Sequence, residues 1–221
     1  MLGLVELLLP DRCAVCGAPG DALCAACRHS FVRLRPPVCD RCGAPGPWPV
    51  RRCAECSGRR LGFAGARSAI VYDDRARRLV REWKEHGRRS LAARAAALVD
   101  EVVPPPDVDV LVHVPGDPER AWKRGSVAPE GLARALARLW GLDAADLLRR
   151  TGALPRQRGL GLAERRRNAR GSVIARGDAP QVVGLVDDVY TSGATADACA
   201  TALRRAGARR VEVVTLARAV R

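Results

Sequence analysis

Hydrophobic and polar positions divide the chain near residue 62 into two parts with different patterns. Beyond that point, short apolar runs alternate with longer stretches in which apolar residues recur every three or four positions. The short runs predict strands, and the longer stretches predict helices. We expect strands over residues 66–72, 108–114, 182–186 and 211–216, and helices over 74–86, 90–102 and 129–140. A further helix should follow the loop after the strand 182–186 and end near residue 206.

Strands that alternate with helices predict an α/β fold with a mainly parallel sheet. The run 182–186 contains no polar residue, as is typical of a central parallel strand. In such sheets, ligands bind outside the carboxyl ends of the strands. The sequence therefore predicts a second domain over 63–221, with a binding site at one edge of its sheet.

The first nine residues are apolar apart from Glu6, and we expect them to form a short helix that packs on the rest of the chain. They are too few to cross a bilayer, and they lack the basic start of a secretory signal. No other run approaches membrane length. These features predict a cytoplasmic protein without a membrane span.

Residues 1–62 carry eight of the nine cysteines, arranged as four Cys-x-x-Cys pairs. Two such pairs supply the four thiolates of a tetrahedral zinc site, so we predict a zinc-ribbon-like module with one or two structural Zn²⁺ ions. Sequential pairs and cross-braced pairs both satisfy the spacing. Disulfides are the alternative, but the reducing cytoplasm disfavours them. The predicted ligands are Cys13, Cys16, Cys24, Cys27, Cys39, Cys42, Cys53 and Cys56.

The ninth cysteine, Cys199, lies among alanines in a helical stretch, and we expect a small buried hydrophobe rather than a nucleophile. The module has two candidate roles. One is to fold a segment too short to build its own core, and the other is to grip nucleic acid or a protein. Several arginines in residues 28–60, with Phe31 and Trp48 available for stacking, favour a secondary binding role.

The formal net charge is +14, which favours anionic partners such as phosphates or nucleic acid. Nearly all of this charge is arginine, since lysine occurs only at Lys84 and Lys123. Arginine bias with abundant alanine and glycine is also typical of a GC-rich genome. Residues 149–176 concentrate nine arginines against one glutamate, either as a basic flap over a site or as a solvated loop.

The segment 185–195 carries the strongest functional signal, because an apolar strand leads into two acids and then a hydroxyl- and glycine-rich loop that opens a helix. Backbone amides and hydroxyls at a helix N-terminus suit a phosphate. Carboxylates repel phosphate but suit sugar hydroxyls or a shared magnesium ion. Together they predict a site for a sugar phosphate. Its predicted residues are Asp187, Asp188, Val189, Thr191, Ser192, Gly193, Ala194 and Thr195.

This segment resembles the binding motif for 5-phosphoribosyl-1-pyrophosphate (PRPP) of type I phosphoribosyltransferases. The whole chain is similar to the ComF (competence protein F-like) family. The similarity includes the cysteine pairs, the stretch 83–87, and Arg158-Gly159-Leu160 followed by residues 164–168. The resemblance implies the type I phosphoribosyltransferase fold, Mg²⁺ bound with PRPP, phosphoribosyl transfer to an unknown acceptor, and involvement in DNA uptake.

Implied roles follow for single residues. Asp187 and Asp188 hold the ribose, the loop 191–195 holds the 5-phosphate, and Lys84 and Arg124 neutralise pyrophosphate. Pro115 and Gly116 stand where the family has its pyrophosphate-binding loop. This loop and the segment 123–130 depart from the family pattern, so an alternative is a PRPP-binding regulator with little turnover. The net charge and the cysteine pairs favour a further alternative, a partner of single-stranded DNA or of DNA-uptake proteins.

Overall fold

A computed structural model describes residues 11–116, 128–151 and 172–220, which form a five-stranded sheet, a two-stranded sheet and flanking helices. The strands are β1 (Gly65–Val71), β2 (Val110–His113), β3 (Ala144–Ala145), β4 (Leu148–Arg150), β5 (Val173–Ala175), β6 (Val182–Tyr190) and β7 (Arg210–Arg218). The helices are α1 (Ala25–Ser30), α2 (Asp74–His86), α3 (Leu91–Asp100), α4 (Ala128–Trp140) and α5 (Ala194–Arg205).

The larger sheet has the strand order β1-β7-β6-β2-β3, and every neighbouring pair in it is parallel. Strands β4 and β5 form a separate antiparallel pair. The long strands β6 and β7 are neighbours in the interior of this sheet, and most of their residues are buried. The parallel arrangement brings the carboxyl ends of β6 and β7 to the same edge of the sheet.

Alternate residues of the central strands enter two hydrophobic clusters, one on each face of the sheet. Val186 and Val214 pack with α2, α3 and α4, whereas their neighbours Leu185 and Val213 pack with α5. This alternation is the period of two expected of a strand. The α/β fold with a mainly parallel sheet between helices is thus confirmed.

The cysteine-rich part packs directly on this sheet. Residues 32–34 run antiparallel to β1, with the Leu34 amide donating to the Ala69 carbonyl at 2.8 Å and the Val71 amide donating to the Val32 carbonyl at 2.9 Å. Cysteines of both pair groups belong to the same hydrophobic clusters as the sheet. The domain boundary at residue 62 stays a prediction. Packing and hydrogen bonds connect the residues on its two sides.

The element limits agree closely with those expected from the pattern, with one difference that matters. The expected strand 182–186 continues to Tyr190, so the two acids lie inside β6 rather than beyond its end. The expected helix over the first nine residues lies outside the described residues, as does most of the arginine-rich segment. Within the described ranges, no helix has both the length and the apolar character needed to cross a membrane.

Candidate functional site

The acid pair sits in the C-terminal half of β6 and has two different environments. Asp188 is buried, with 3% of its surface exposed, and its carboxylate pairs with the Lys84 ammonium. Its Oδ1 also accepts from the Val189 amide at 2.9 Å. Asp187 is half-buried and faces a pocket beside α5, where its Oδ1 accepts from the Asp188 amide at 2.9 Å.

Lys84 reaches the acids because α2 is amphipathic and well capped. Leu79, Val80 and Trp83 bury one stripe of this helix, which leaves Lys84 at the edge of that stripe with 41% of its side chain exposed. The Asp73 carboxylate caps the first turn by accepting from the Ala76 amide at 2.9 Å. The ammonium of Lys84 therefore borders both the buried acid and solvent.

Charge and burial shift the pKa values of these groups in a consistent way. Burial raises the pKa of Asp187 well above its usual range, and the Asp188 carboxylate raises it further, against a smaller lowering by the Lys84 ammonium. Burial alone lowers the pKa of Lys84, but the carboxylates of Asp188 and Asp187 outweigh this and raise it. Lys84 is therefore a cation at neutral pH, whereas its charge is too small an influence on Asp187 to offset burial and the Asp188 carboxylate.

The loop 191–195 includes the connection between β6 and α5 and the first two residues of that helix, in a shape that requires glycine. Gly193 has φ 72° and caps α5, and a Cβ on it would lie 2.6 Å from Tyr190 Cζ. Ser192 is buried, and its Oγ accepts from the Ala194 amide at 3.3 Å, whereas Thr191 is exposed. The first amides of α5 have no partner within the helix, so the loop offers hydrogen-bond donors to solvent.

Strand, loop and helix together line a small pocket of about 20 Å³. Its base includes Thr215 of β7, which lies opposite Asp187 in the strand register. The arrangement places one carboxylate against a set of amide and hydroxyl donors. The lining residues are Asp187, Val189, Tyr190, Thr191, Gly193, Ala194, Thr195, Ala196 and Thr215.

The segment after β2 also reaches this edge of the sheet. His113 pairs with Val186 across the β2–β6 ladder, so Pro115 and Gly116 follow directly after the strand that borders the acid pair. Pro115 is buried, and its carbonyl accepts from Arg150 Nε at 3.0 Å. Arg124, the other predicted pyrophosphate ligand, lies outside the described residues, as does its neighbour Lys123.

The eight N-terminal cysteines form two separate clusters, each suited to one zinc ion. The first cluster joins Cys13, Cys16, Cys24 and Cys27, and the second joins Cys39, Cys42, Cys53 and Cys56, with all sulfurs of a cluster within 4.8 Å of one another. A tetrahedral Zn–S₄ site places its sulfurs about 3.8 Å apart. The Cys39–Cys56 and Cys42–Cys53 separations are 3.6 and 3.5 Å. The ligands thus pair sequentially, which the spacing alone left open.

The chain is similar to a known domain family in its N-terminal part and to known proteins over almost its whole length. Residues 4–57 match the double zinc ribbon domain family, in agreement with the two four-cysteine clusters. DNA utilization protein YhgH of Salmonella typhi is 31% identical, over 96% of this chain and 99% of that protein. Competence protein F of Haemophilus influenzae is 26% identical, over 90% of this chain and 91% of that protein.

Solved structures also match part of this chain. The crystal structure of purine phosphoribosyltransferase from Pyrococcus horikoshii is 17% identical with a TM-score of 0.34, and the match covers 57% of this chain and 80% of that one. A Thermus thermophilus protein, TT1426, has the same TM-score at 20% identity, with 57% and 82% covered. The parallel sheet itself is established by the strand register described above.

The structure adds three residues to the site that the pattern did not single out. Thr215 lies at the base of the pocket, Arg150 holds the Pro115 carbonyl, and Tyr190 packs against Gly193. Arg150 belongs to a run of arginines in which no single member stands out. Polarity alone does not single out Thr215, because Glu212 is another polar residue within β7.

Proposed function

Because the chain belongs to the family of DNA utilization protein YhgH and competence protein F, we propose that it binds PRPP in the pocket between β6 and α5. One observation carries this proposal: Asp187 lines the same pocket as the hydroxyl- and amide-bearing loop 191–195. A free phosphate would be repelled by that carboxylate, and an unphosphorylated sugar would leave the loop donors unused. A phosphorylated pentose satisfies both groups of residues.

The 5-phosphate is assigned to the loop. Thr191 and Thr195 offer hydroxyls, and the N-terminus of α5 adds amides that have no partner within the helix and the positive end of the helix dipole. Since the cavity itself is only about 20 Å³, the phosphate would lie at its mouth, where Thr191 is exposed. Asp187 would then accept hydrogen bonds from the ribose hydroxyls.

The pyrophosphate is assigned to the other side of the acid pair. Lys84 supplies a cation that the Asp188 carboxylate already holds in place, and Pro115 and Gly116 border the same edge of the sheet. Magnesium, if it arrives bound to the pyrophosphate, would neutralise part of the ligand charge and would suit the carboxylate oxygens of the acid pair. Arg124 is assigned here by family resemblance alone.

As a transferase, the protein would break the bond between ribose C1 and the pyrophosphate oxygen, with the electron pair leaving on pyrophosphate. An acceptor nucleophile would form the new bond to C1 and lose its proton to solvent. Positive charge develops on the sugar near the carboxylate of Asp187, and negative charge develops near Lys84. Catalysis would thus consist of positioning and electrostatic stabilisation.

Turnover is tested by incubating the chain with magnesium, PRPP and a panel of nucleobases, and measuring released pyrophosphate. We expect release that depends on both magnesium and one class of acceptor, and that ribose 5-phosphate inhibits by occupying the loop. Saturable PRPP binding without release would leave a PRPP-binding regulator. Absence of both binding and release would contradict the proposed function.

A second candidate function is contact with single-stranded nucleic acid, and an exposed tryptophan favours it. Trp48, in the second cysteine cluster's loop, has 66% of its surface exposed, and Arg51 and Arg52 nearby are also exposed. An exposed aromatic ring beside arginines provides a stacking surface and phosphate contacts. The names of the relatives, which concern DNA utilization and competence, fit such a role.

We expect Trp48→Ala to weaken single-strand binding about tenfold, as loss of one stacked base predicts. Leu139→Ala is the matched control, since Leu139 is an apolar residue with 54% exposure on α4. Fluorescence anisotropy with a labelled oligonucleotide at several salt concentrations would measure both variants. Equal loss in the two variants, or no binding by the unmodified chain at low salt, would remove this candidate.

A further inference from the structure

Arg218, the last residue of β7, is a cation with 0% of its surface exposed. Moving a guanidinium out of water is costly unless anionic groups and hydrogen-bond acceptors surround it. The backbone of Arg218 pairs with Tyr190 in the β6–β7 ladder. Its side chain thus lies where the sheet, the second cysteine cluster and the loop 191–195 come together.

The partners of this guanidinium belong to the second cysteine cluster. Nη1 donates to the Cys42 carbonyl at 2.7 Å, and Nη2 donates to Glu55 Oε2 at 2.8 Å and lies 3.7 Å from Cys42 Sγ. A zinc ion with four thiolate ligands leaves a net negative charge on the site. A buried guanidinium against one of these sulfurs would offset that charge and fix the orientation of its ligand.

The guanidinium also lies over the aromatic ring of Tyr190, with its Cζ 4.6 Å from the ring centroid. Tyr190 is 3% exposed, lines the pocket, and packs against Gly193 so closely that no side chain fits there. The ring also meets Phe63 edge-on, with centroids 6.3 Å apart. A continuous series of contacts therefore runs from Cys42 through Arg218 and Tyr190 to the loop.

We propose that Arg218 is a positioning residue that couples the second zinc site to the loop 191–195. Zinc would fix the position of Cys42. Cys42 and Glu55 in turn hold the guanidinium, which packs on the Tyr190 ring that supports Gly193. Loss of either the metal or Arg218 loosens the loop. The role of the loop as a phosphate site rests on the proposed function, whereas the coupling itself requires no ligand.

The test compares Arg218→Met with Arg67→Met in the full chain loaded with zinc. Arg67 is a matched control because its guanidinium also donates to the second cluster's loop, at the Asp40 carbonyl at 2.9 Å and the Cys39 carbonyl at 3.4 Å. Zinc transfer to a chromogenic chelator reports metal retention. Hydrogen–deuterium exchange of peptides covering residues 190–196 reports the order of the loop.

In Arg218→Met we expect one of the two zinc ions to leave about 10–100-fold faster, as loss of a group that orients a metal ligand predicts. The loop amides should exchange about tenfold faster in the same variant and at the normal rate in Arg67→Met. Faster zinc release with unchanged loop exchange would overturn the coupling, as would unchanged values of both.

Tyr190→Leu keeps the proposal testable if Arg218→Met does not fold. This variant retains the contacts between Arg218 and Cys42 but removes the ring, so loop exchange should rise about tenfold while zinc release stays within twofold of the unmodified chain. Loop exchange at the original rate would overturn the proposal. Neither readout uses PRPP, so a chain that fails to bind PRPP would contradict the proposed function and leave this coupling to be judged on its own data.

Discussion

Asp187→Asn is expected to weaken PRPP binding by about 100-fold or more, since the variant loses charge-assisted hydrogen bonds to the ribose hydroxyls. The amide retains the shape of the side chain but offers one neutral oxygen in place of a carboxylate. Isothermal titration calorimetry at saturating magnesium measures the loss. Asp178→Asn, which makes the same charge change at an exposed position before β6, should bind PRPP normally.

Asp187→Asn should also be more stable than the unmodified chain at neutral pH. Burial raises the folded-state pKa of Asp187, so the folded state holds this proton more tightly than the unfolded state does. The contribution of Asp187 to stability is therefore complete below its unfolded pKa, near about 3.9, and is lost as pH rises through the folded pKa. Asparagine imitates the protonated acid, so this loss should disappear.

We expect the Tm of Asp187→Asn to exceed that of the unmodified chain by about 2–4 °C at neutral pH and to converge with it at low pH. Thermal denaturation followed by circular dichroism across this pH range would show the difference. A variant that binds PRPP weakly and is also less stable at neutral pH would mean that Asp187 serves the fold rather than the ligand.

The other large effect is expected from Cys42→Ser, which removes one ligand of the second zinc site. Structural zinc contributes about 10–16 kcal/mol of binding free energy to small zinc-dependent folds, so loss of a ligand is severe. Cys42 is 1% exposed and packs in one hydrophobic cluster with Phe63 and Tyr190. Loss of the metal should therefore also disturb the packing of the sheet. We expect zinc content to fall from two ions to one per chain and the Tm to fall by about 10 °C or more.

Cys199→Ala provides the matched control for that experiment. Cys199 is a buried cysteine on α5 that belongs to neither four-cysteine cluster, so its variant should keep both zinc ions and lose only modest packing energy. Elemental analysis and thermal denaturation of the two variants would be compared side by side. An unchanged zinc content in Cys42→Ser, with an unchanged Tm, would show that Cys42 is not a zinc ligand.

Much of the fold follows from the hydrophobic pattern, and the exceptions have physical causes. Helix α2 has the limits expected from the pattern, since its buried stripe and its caps are local features of the sequence. Strand β6 is longer than expected, because hydrogen bonds to β7 continue past Asp187 to the pairing of Tyr190 with Arg218. The two acids suggest the end of the strand, but Asp188 is buried inside it, and the strand ends only where its partner does.

The parts of the candidate site that could be predicted are those in which the residue types themselves indicate what they bind. The acid pair and loop 191–195 were predicted to form one site, and the structure brings Asp187 into the loop's pocket. The division of roles, with Asp188 paired to Lys84, depends on a contact between residues far apart in the chain. The role of Arg218 could not be predicted from the sequence, because the chain contains many arginines and only the structure shows that this one is buried.

Calorimetric titration of PRPP into the unmodified, zinc-loaded chain at millimolar magnesium tests the central claim most directly. If PRPP binds between the acid pair and the loop, the titration should show saturable heat with one site per chain. Ribose 5-phosphate should compete for that site. No heat at millimolar PRPP, or heat that Asp187→Asn leaves unchanged, would contradict the assignment of this pocket to a phosphorylated pentose.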